Sequence, residues 1–255
     1  MEFSNKVVII TGASSGIGAS CALRFADLNA NLVLVGRNTE NLNNVGKKCE
    51  ELKGNKPLTI TADVSIDDDV ERIILETINR YGKLDILVNN AGCLVMSGVT
   101  GDIENFDKMM ATNIRGAYLL TQKAVPHLLE TKGNIVNVSS VLSMKPVPAM
   151  MAYCMTKAAM DMFTKCLALE LGPKGIRANM VNPGPVDSNL LRSSFTQEEK
   201  SQFLDKMTEI VPLRKLPKGE NVAKLISFLA SDDANCITGT THVIDCGVLL
   251  GDAIF

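Results

Sequence analysis

Short apolar runs alternate with helical patterns along almost the whole chain of 255 residues. Most of the runs are rich in Val, Ile and Leu and show little polar alternation, as in parallel strands that are covered on both faces. Regular strand–helix alternation predicts βαβ units, which build a parallel sheet through right-handed crossovers. We expect strands at 6–11, 31–36, 57–61, 84–89, 133–139, 176–182 and 240–245, and helices at about 16–29, 39–53, 67–80, 103–130, 151–171 and 219–230.

Composition narrows the class of protein. Hydrophobic residues make up 46% of the chain and charged residues 21%, which is ordinary for a soluble globular protein. A net charge of −2 gives no electrostatic reason to expect nucleic acid or an anionic membrane as a partner. The seven cysteines contain no Cys-x-x-Cys pair, and no apolar run is long enough to span a membrane. We therefore expect one soluble, cytoplasmic domain over residues 1–255, without a signal peptide.

The alternation of strands and helices is interrupted between residues 186 and 216. This interval follows Asn182-Pro183-Gly184-Pro185, whose prolines end a predicted strand, and it holds a polar stretch with helical character. Ligands of α/β folds bind beyond the carboxyl ends of the strands. We interpret the interval as a substrate lid, with a surface insertion of no special function as the alternative.

A glycine-rich turn joins the first predicted strand to the first helix. The segment reads Thr11-Gly12-Ala13-Ser14-Ser15-Gly16-Ile17-Gly18. Glycines at such a turn let the backbone approach a pyrophosphate, which then lies at a helix N-terminus. No Gly-Lys-Ser/Thr follows, so the turn is not a P-loop and ATP is disfavoured. The pattern predicts a dinucleotide site.

The end of the second strand indicates which dinucleotide is bound. An acidic residue there would bind the adenosine ribose hydroxyls of NAD, whereas an arginine suits the 2′-phosphate of NADP. The strand ends Leu34-Val35-Gly36-Arg37-Asn38, without a carboxylate. Arg37 therefore favours NADP(H) over NAD(H), and a solvated surface arginine is the alternative.

Tyr153 and Lys157 are four residues apart on a predicted helix and so share one face. A free tyrosine has a pKa of about 10, and a nearby fixed positive charge would lower it toward neutrality. That change would suit a proton-transfer catalyst. The spacing alone also occurs by chance on exposed helix faces, so the pair needs the support of other motifs.

These motifs together resemble the short-chain dehydrogenase/reductase family over nearly the whole chain. The glycine pattern at 12–18 matches the family's cofactor loop, and Asn89-Asn90-Ala91-Gly92 matches its motif at the end of the fourth strand. Ser140 precedes Tyr153 by thirteen residues, as the family's catalytic serine does. The pattern is similar to the subgroup of 3-oxoacyl-carrier-protein reductases and carbonyl reductases.

The chain departs from the family pattern at a few positions. Asp245-Cys246-Gly247 stands where the family often has Asp-Gly-Gly. Ser188 stands where threonine is more usual. Ser139 is adjacent to Ser140, so the choice of the catalytic serine rests on spacing alone.

The resemblance implies four catalytic residues. Tyr153 would donate a proton to the carbonyl oxygen, and Ser140 would polarise that oxygen. Lys157 would lower the tyrosine pKa and hold the nicotinamide ribose, and Asn113 would hold a water beside Lys157. No metal is needed. The residues expected at the cofactor are Gly12, Ser14, Ser15, Gly16, Ile17, Gly18, Arg37, Asn38, Asp63, Val64, Asn90, Ala91, Gly92, Tyr153, Lys157, Pro183, Gly184, Val186 and Ser188.

The resemblance also implies an α/β, single-domain Rossmann fold. We expect a seven-stranded parallel sheet in the order 3-2-1-4-5-6-7, with helices on both faces. Residues 1–92 would mainly bind the cofactor, and residues 93–255 would carry catalysis and the substrate site. Relatives in the family are commonly homodimers or homotetramers, so a homo-oligomer is expected.

Apolar residues surround the expected position of the nicotinamide and predict a hydrophobic substrate. They favour a hydrophobic ketone or aldehyde over a sugar. Methionines that only fill the core would give the same sequence pattern. The alternatives are a 3-oxoacyl thioester as substrate, a catalytically silent NADPH-binding scaffold, and an epimerase or dehydratase. The substrate residues expected are Leu94, Met96, Leu142, Met150 and Leu190, with Val95, Met144, Met151 and Leu191 nearby.

Overall fold

A parallel sheet of seven strands forms the centre of the molecule. The structure is a computed structural model that describes residues 2–53, 55–187, 190 and 195–251. The strand order is β3-β2-β1-β4-β5-β6-β7, as predicted, and every neighbouring pair is parallel. The strands are β1 Val7–Thr11, β2 Asn31–Gly36, β3 Leu58–Thr61, β4 Ile86–Asn89, β5 Asn134–Val138, β6 Arg177–Pro183 and β7 Thr241–Ile244.

The central strand β1 shows why the sheet is covered on both sides. All five of its residues are buried, so the strand has no polar face. Val8 and Ile10 pack into one apolar layer, and Val7 and Ile9 pack into the other. Because side chains alternate along a strand, a run of β-branched residues supplies both layers at once.

Helices cover both faces of the sheet, as predicted. One apolar layer contains side chains of α1, α2 and α8, and the other contains side chains of α3, α5 and α6. The helices are α1 Gly16–Asp27, α2 Thr39–Lys53, α3 Asp67–Tyr81, α4 Ile103–Met110, α5 Gly116–Thr131, α6 Met151–Leu171, α7 Gln197–Ile210 and α8 Gly219–Ala230.

The helix predicted over 103–130 is not one regular helix. A π-helical segment, Ala111–Arg115, separates α4 from α5. Met110 and Gly116 at its two ends keep right-handed helical backbone angles, so the chain continues without a turn. Such a segment widens one turn of a helix and occurs frequently at functional sites. Here it contains the buried Asn113.

The sheet topology concentrates polar groups at one edge. β1 lies between β2 and β4, so the strand order reverses direction at the β1–β4 boundary. Loops that leave β1 and β4 diverge there and open a crevice at the carboxyl ends of the strands. Most of the predicted site residues follow the ends of β1, β2, β3, β4, β5 and β6, and therefore lie along this edge.

Candidate active site

The glycine turn after β1 is locked to the end of β4. The Asn90 side chain donates to the Thr11 carbonyl at 2.8 Å, and the Thr11 hydroxyl accepts from the Asn90 and Ala91 amides at 3.0 Å each. Gly12 has a φ of +67°, and a Cβ there would lie 2.8 Å from Asn90 Nδ2. A Cβ at Gly18 would overlap the Gly12 carbonyl oxygen. The turn therefore requires glycine for both its backbone angles and its packing.

The N-terminus of α1 faces the crevice. Ser15 is the N-cap residue, but its side chain makes no capping hydrogen bond among the residues that the structure describes. The first amides of the helix are thus available to an anion, which the helix dipole also attracts. This uncapped helix end and the glycine cradle fit the pyrophosphate of a dinucleotide. Gly16 begins α1, and Ile17 packs against the core beneath it.

The predicted adenosine end contains an ion pair at the surface. Arg37, half exposed, lies 3.3 Å from an Asp63 carboxylate oxygen. Partial burial raises the pKa of Asp63, but hydrogen bonds from Ser65 and the charge of Arg37 outweigh this effect and leave it below its usual value. The pair brings together two residues that were predicted to contact adenosine from different strands.

The other residues predicted at this end have structural contacts of their own. Asn38 accepts a hydrogen bond from the Asn41 amide at 2.8 Å and so caps the start of α2. Ser14 lies against Gly36 at the end of β2. The Val64 carbonyl packs closely against Gly116, where a Cβ would approach its oxygen to 2.5 Å. Val64 therefore couples the end of β3 to the beginning of α5.

Ser140 and Tyr153 meet beyond the end of β5. Both side chains are buried, and the Ser140 hydroxyl lies near enough to the Tyr153 phenol to lower its pKa. The Ser140 oxygen also accepts the Leu142 amide at 3.1 Å, which caps the short 3₁₀ turn Val141–Ser143. The adjacent Ser139 instead donates to the Lys157 carbonyl at 3.2 Å. The two serines thus have different partners, and Ser140 is the one that contacts the tyrosine.

Lys157 is buried one turn beyond Tyr153 on α6. Its Nζ donates to the Val138 carbonyl at 2.8 Å and lies 5.5 Å from the centre of the Tyr153 ring. Burial lowers the pKa of Lys157 to about 8, although the charge of Asp161 and then Cys93 oppose that effect. Val138 occupies one ammonium hydrogen, and the described residues offer no further hydrogen-bond acceptor to Nζ, so two hydrogens could bind a ligand.

The tyrosine pKa behaves differently from the sequence-based expectation. Burial raises the pKa of Tyr153 above its ordinary value, and the hydrogen bond from Ser140 only partly opposes this rise. Nearby Cys154 and Cys93 add smaller contributions in the same direction as burial. The expected lowering by Lys157 is therefore absent in the protein alone, because desolvation of the phenolate dominates.

Asn113 is fixed by both ends of its side-chain amide. Its Nδ2 donates to the Cys93 carbonyl at 2.9 Å and to the Thr156 hydroxyl at 3.1 Å, and its Oδ1 accepts the Cys93 amide at 2.8 Å. Thr156 in turn donates to the Tyr153 carbonyl at 2.8 Å. Asn113 therefore links the turn after β4 to the first turns of α6.

The turn after β4 brings these groups together. A Cβ at Gly92 would lie 3.4 Å from Asn113 Oδ1 and 3.8 Å from Lys157 Nζ. Gly92 thus marks the point where β4, the π segment and α6 converge. Any side chain at this position would fill the space between the amide and the ammonium.

An apolar cluster borders Tyr153. Four of the five predicted substrate residues belong to it, together with buried Met109. Met96, the fifth, lies outside the cluster and is 40% exposed. Leu94 is the most deeply buried of the five. The cluster members predicted from the sequence are Leu94, Leu142, Met150 and Leu190, with Val95 packed against them.

The segment after β6 passes beside β7. The Gly184 amide donates to the Ile244 carbonyl at 3.0 Å, and Val186 is buried in the core beneath α1. Pro183 ends β6 and pairs with Ile244 in the sheet. Ser188 and Leu191, predicted near the nicotinamide and in the lid, lie outside the described residues.

The predicted lid contains the helix α7. Thr196 and Glu199 form a capping box: the Thr196 hydroxyl accepts the Glu199 amide at 3.2 Å, and Glu199 accepts the Thr196 amide at 2.8 Å. Lys200 pairs with Asp187 at 2.6 Å and so ties α7 to the loop after β6. The helical character predicted for this interval is correct, and its role as a lid stays a prediction.

Two threonines were missed by sequence reasoning. Thr11 accepts two backbone amides of the turn after β4, and Thr156 connects Asn113 to Tyr153. Thr11 could have been found, because it begins the glycine motif. Thr156 carries no signal in the sequence, since its importance depends on a partner 43 residues away.

Comparisons with known proteins agree with the fold. Residues 12–249 match the sequence profile of the family described as enoyl-(acyl carrier protein) reductase. The chain is 35% identical over 252 residues to a glucose 1-dehydrogenase of Gluconobacter oxydans, a match that covers 98% of this chain and 94% of that protein.

Solved structures superpose over nearly the full chain. A short-chain dehydrogenase/reductase of unknown function from Caenorhabditis elegans, solved with cofactor, gives a TM-score of 0.94 at 33% identity and covers 98% of this chain and 97% of that one. An L-sorbose reductase from Gluconobacter frateurii, solved with NADPH and L-sorbose, gives 0.90 at 29% identity with 98% of each chain covered. A 7α-hydroxysteroid dehydrogenase, solved with NADH and 7-oxo glycochenodeoxycholic acid, gives 0.90 at 28% identity with 96% of each chain covered.

These matches cover the residues that form the seven-stranded sheet and the glycine cradle at the β1–β4 boundary. The identities to the glucose 1-dehydrogenase and to the Caenorhabditis elegans structure, 35% and 33%, extend over nearly the whole chain. The chain belongs to the short-chain dehydrogenase/reductase family, a family of nicotinamide-dependent oxidoreductases.

Proposed function

We propose that this chain is an NADP(H)-dependent oxidoreductase that interconverts a carbonyl group and an alcohol on a small hydrophobic substrate. The observation that carries the proposal is that Ser140, Tyr153 and the ammonium of Lys157 are buried next to each other. This cluster lies between the dinucleotide cradle and the apolar cluster, where a carbonyl would be flanked by both. A silent scaffold would not need a buried lysine and a buried phenol in contact with a serine.

The bound cofactor supplies the hydride in the reductive direction, and the protein supplies position and a proton. Ser140 polarises the carbonyl oxygen as negative charge develops on it. Tyr153 keeps its proton at neutral pH because burial raises its pKa, so the phenol is present as an acid in the resting protein. The Ser140 hydrogen bond stabilises the phenolate that forms when this proton leaves.

Lys157 and Asn113 support that transfer. The other two ammonium hydrogens of Lys157 would hold the hydroxyls of the nicotinamide ribose when the cofactor is bound. Both amide hydrogens of Asn113 are taken by Cys93 and Thr156. Its predicted role in holding a water beside Lys157 would therefore use only the remaining acceptor capacity of the amide.

Arg37 is the basis for preferring NADP(H). A guanidinium at the end of β2 offers two parallel donors to a phosphate. Its partner Asp63 lies 3.3 Å away. A surface ion pair of this kind is weak, so a phosphate with a higher charge can displace the carboxylate. Relatives of the same fold have been solved with NADPH and with NADH, so the fold does not decide between them, and Arg37 is the basis for proposing NADP(H).

The apolar cluster supports a hydrophobic ketone or aldehyde as substrate. Leu142 and Met150 pack beside the tyrosine that would donate the proton, and neither can hydrogen-bond a polyol. Relatives named for sugar substrates and for a steroid share the fold, so the fold does not determine the substrate. The proposed substrate class therefore rests on the apolar cluster beside Tyr153. A 3-oxoacyl thioester remains the alternative substrate.

We also propose a homodimer or homotetramer. Met155, Met162 and Leu169 project from the outer face of α6, and each is more than half exposed. Tyr118 on α5 is similarly exposed, and its ring packs against that of Phe163 at a tilt of 40°. Light scattering after gel filtration would test the proposal, and a monomer at all concentrations would contradict it.

The compartment is proposed from cysteine usage. All seven cysteines are free in the structure, as expected for the reducing cytoplasm. Within the described part of the chain, no helix has the length and apolar character needed to cross a membrane.

A substrate screen tests the proposed activity. Purified protein is incubated with NADPH or NADH and with acetophenone, aliphatic aldehydes, steroid ketones, sugars and 3-oxoacyl thioesters, and with the corresponding alcohols in the reverse direction. We expect NADPH oxidation with the hydrophobic ketones or aldehydes, and none with the Tyr153→Phe variant. Turnover confined to sugars or thioesters would overturn the substrate class, and no turnover with any member would favour the scaffold.

A further inference from the structure

Asp161 is a buried carboxylate that the proposed reaction does not use. It lies on α6 one turn beyond Lys157 and is only 9% exposed. Residues four apart share one face of a helix, so the carboxylate is directed to the same side as the ammonium. A buried charge is costly unless a partner compensates it, and this position therefore requires an explanation.

The direct partner of Asp161 is Asn182 near the end of β6. Asn182 Nδ2 lies 3.0 Å and 3.3 Å from the two carboxylate oxygens. A reversed amide would place an oxygen against these two acceptors, so the carboxylate determines the orientation of the amide. Asn182 Oδ1 is buried and has no hydrogen-bond partner among the described residues.

The same amide nitrogen reaches the backbone of Ser140. It lies 3.1 Å from the Ser140 carbonyl and 2.9 Å from the Ser143 hydroxyl, at the two ends of the 3₁₀ turn. The registered pair Val138 and Val181 brings β5 and β6 together just before these residues. Asn182 thus connects the carboxylate on α6 with the backbone that carries the Ser140 hydroxyl.

Few charges face Lys157 besides Asp161. Cys93 approaches from the turn after β4, and Tyr153 lies on the same helix. β5 presents the Val138 carbonyl, and β6 presents the neutral Asn182. Burial lowers the pKa of Lys157 to about 8, and Asp161 is the larger of the two influences that oppose this. Without Asp161 the ammonium would therefore lose its proton at a lower pH.

We propose that Asp161 and Asn182 are a positioning pair for the catalytic centre. Asp161 supplies the buried counter-charge of Lys157, and Asn182 ties that carboxylate to the backbone of Ser140. This polar connection behind the site thereby fixes both the ammonium of Lys157 and the hydroxyl of Ser140. The inference rests on the proposed roles of Ser140, Tyr153 and Lys157.

The charge of Asp161 is tested by the pH dependence of kcat/KM for NADPH in Asp161→Asn. The assay uses the ketone of the screen that the unmodified protein reduces fastest. The asparagine keeps the shape and removes the charge, so we expect the alkaline midpoint to fall by about one to two pH units. Asp161→Ser, with room for water, is made in parallel in case the first variant is insoluble.

Asp85→Asn is the matched control. Asp85 is also a buried carboxylate, but it lies at the amino end of β4, where it pairs with Lys6 and Lys83. We expect its loss to lower the melting temperature and to leave the alkaline midpoint in place. Equal midpoints in Asp161→Asn, Asp85→Asn and the unmodified protein would overturn the inference.

The connection to Ser140 is tested by Asn182→Ala. We expect kcat to fall roughly tenfold to a hundredfold because the serine hydroxyl is no longer held in register, with little change in the KM for NADPH. An unchanged kcat would remove Asn182 from the pair. If Tyr153→Phe retained turnover, the proposed reaction would fail instead, so the two failures are distinguishable.

Discussion

The two ends of the cofactor crevice are built differently. At the proposed catalytic end, Ser140, Tyr153 and Lys157 are buried and each contacts another fixed group of the protein. At the adenosine end, Arg37 is half exposed and paired with Asp63 at a long distance in solvent. A buried group cannot change without disturbing its partners, whereas an exposed ion pair can be exchanged at small cost. The chemistry should therefore be rigidly specified and the choice of nucleotide easily altered.

The largest effect is expected from Tyr153→Phe. The variant keeps the ring in its buried site and removes the only proposed proton donor, so kcat should fall by about 10²-fold to 10⁴-fold. NADPH affinity, measured by the fluorescence of the reduced cofactor, should stay close to that of the unmodified protein. Tyr118→Phe on the exposed face of α5 is the control and should retain full turnover. Near-normal kcat in Tyr153→Phe would refute the assignment.

Arg37→Asp should break the adenosine end and leave the catalytic end intact. The KM for NADPH should rise roughly tenfold to a hundredfold, because a charge-assisted phosphate contact is replaced by repulsion. The KM for NADH should change far less, and kcat at saturating NADH should be retained. Arg80→Asp, a similar charge change near the end of α3, is the control. An unchanged KM for NADPH would mean that Arg37 is only a surface charge.

The pH dependence of kcat/KM should show the deprotonation of the buried Lys157. Lys157 has a pKa lowered to about 8, whereas burial raises that of Tyr153, so the lysine is the first of the two to lose its proton as pH rises. We expect kcat/KM for NADPH in the reductive direction to be maximal below about pH 8. It should then fall as the pH rises, by up to about tenfold per pH unit. A profile that is flat to pH 10 would show that the ammonium is not required.

A smaller effect is expected from Leu142→Ala in the apolar cluster. The truncation removes apolar contact beside Tyr153, and kcat/KM for a hydrophobic ketone should fall roughly threefold to tenfold. Small polar ketones should be affected less. Leu52→Ala on exposed α2 is the matched control and should not alter either ratio. An equal loss for polar and hydrophobic ketones would place Leu142 in the packing of the site and not in substrate recognition.

Much of the fold follows from local patterns. The apolar runs predict all seven strands, because a strand covered on both faces must be apolar along its length. The glycine motif predicts a tight turn after β1, and Gly12 and Gly18 have no space for a side chain there. The spacing of Tyr153 and Lys157 predicts that they share a face of α6, and the structure buries both on it.

The features that were not predicted depend on distant partners. The π segment has no local signal, and the bonds of Asn113 to Cys93 span twenty residues. The raised pKa of Tyr153 results from burial beneath several elements, which the sequence near the tyrosine does not report. The contact between Asp161 and Asn182 likewise exists only because β6 lies beside β5.

The π segment also affects which deletions the helices α4 and α5 can accept. A π turn holds one residue more than an ordinary helical turn, and each residue rotates a helix by about 100°. Deleting one residue within Ala111–Arg115 would restore a regular helix and leave α5 in nearly its present phase relative to α4, because the wider turn had absorbed the extra residue. Leu120, Ala124 and Leu128 would then stay in the core, but Asn113 would lose its alignment with Cys93 and Thr156. A deletion here should consequently spare the fold and break the Asn113 contacts, whereas a deletion in the regular part of α5 should rotate its apolar face out of the core.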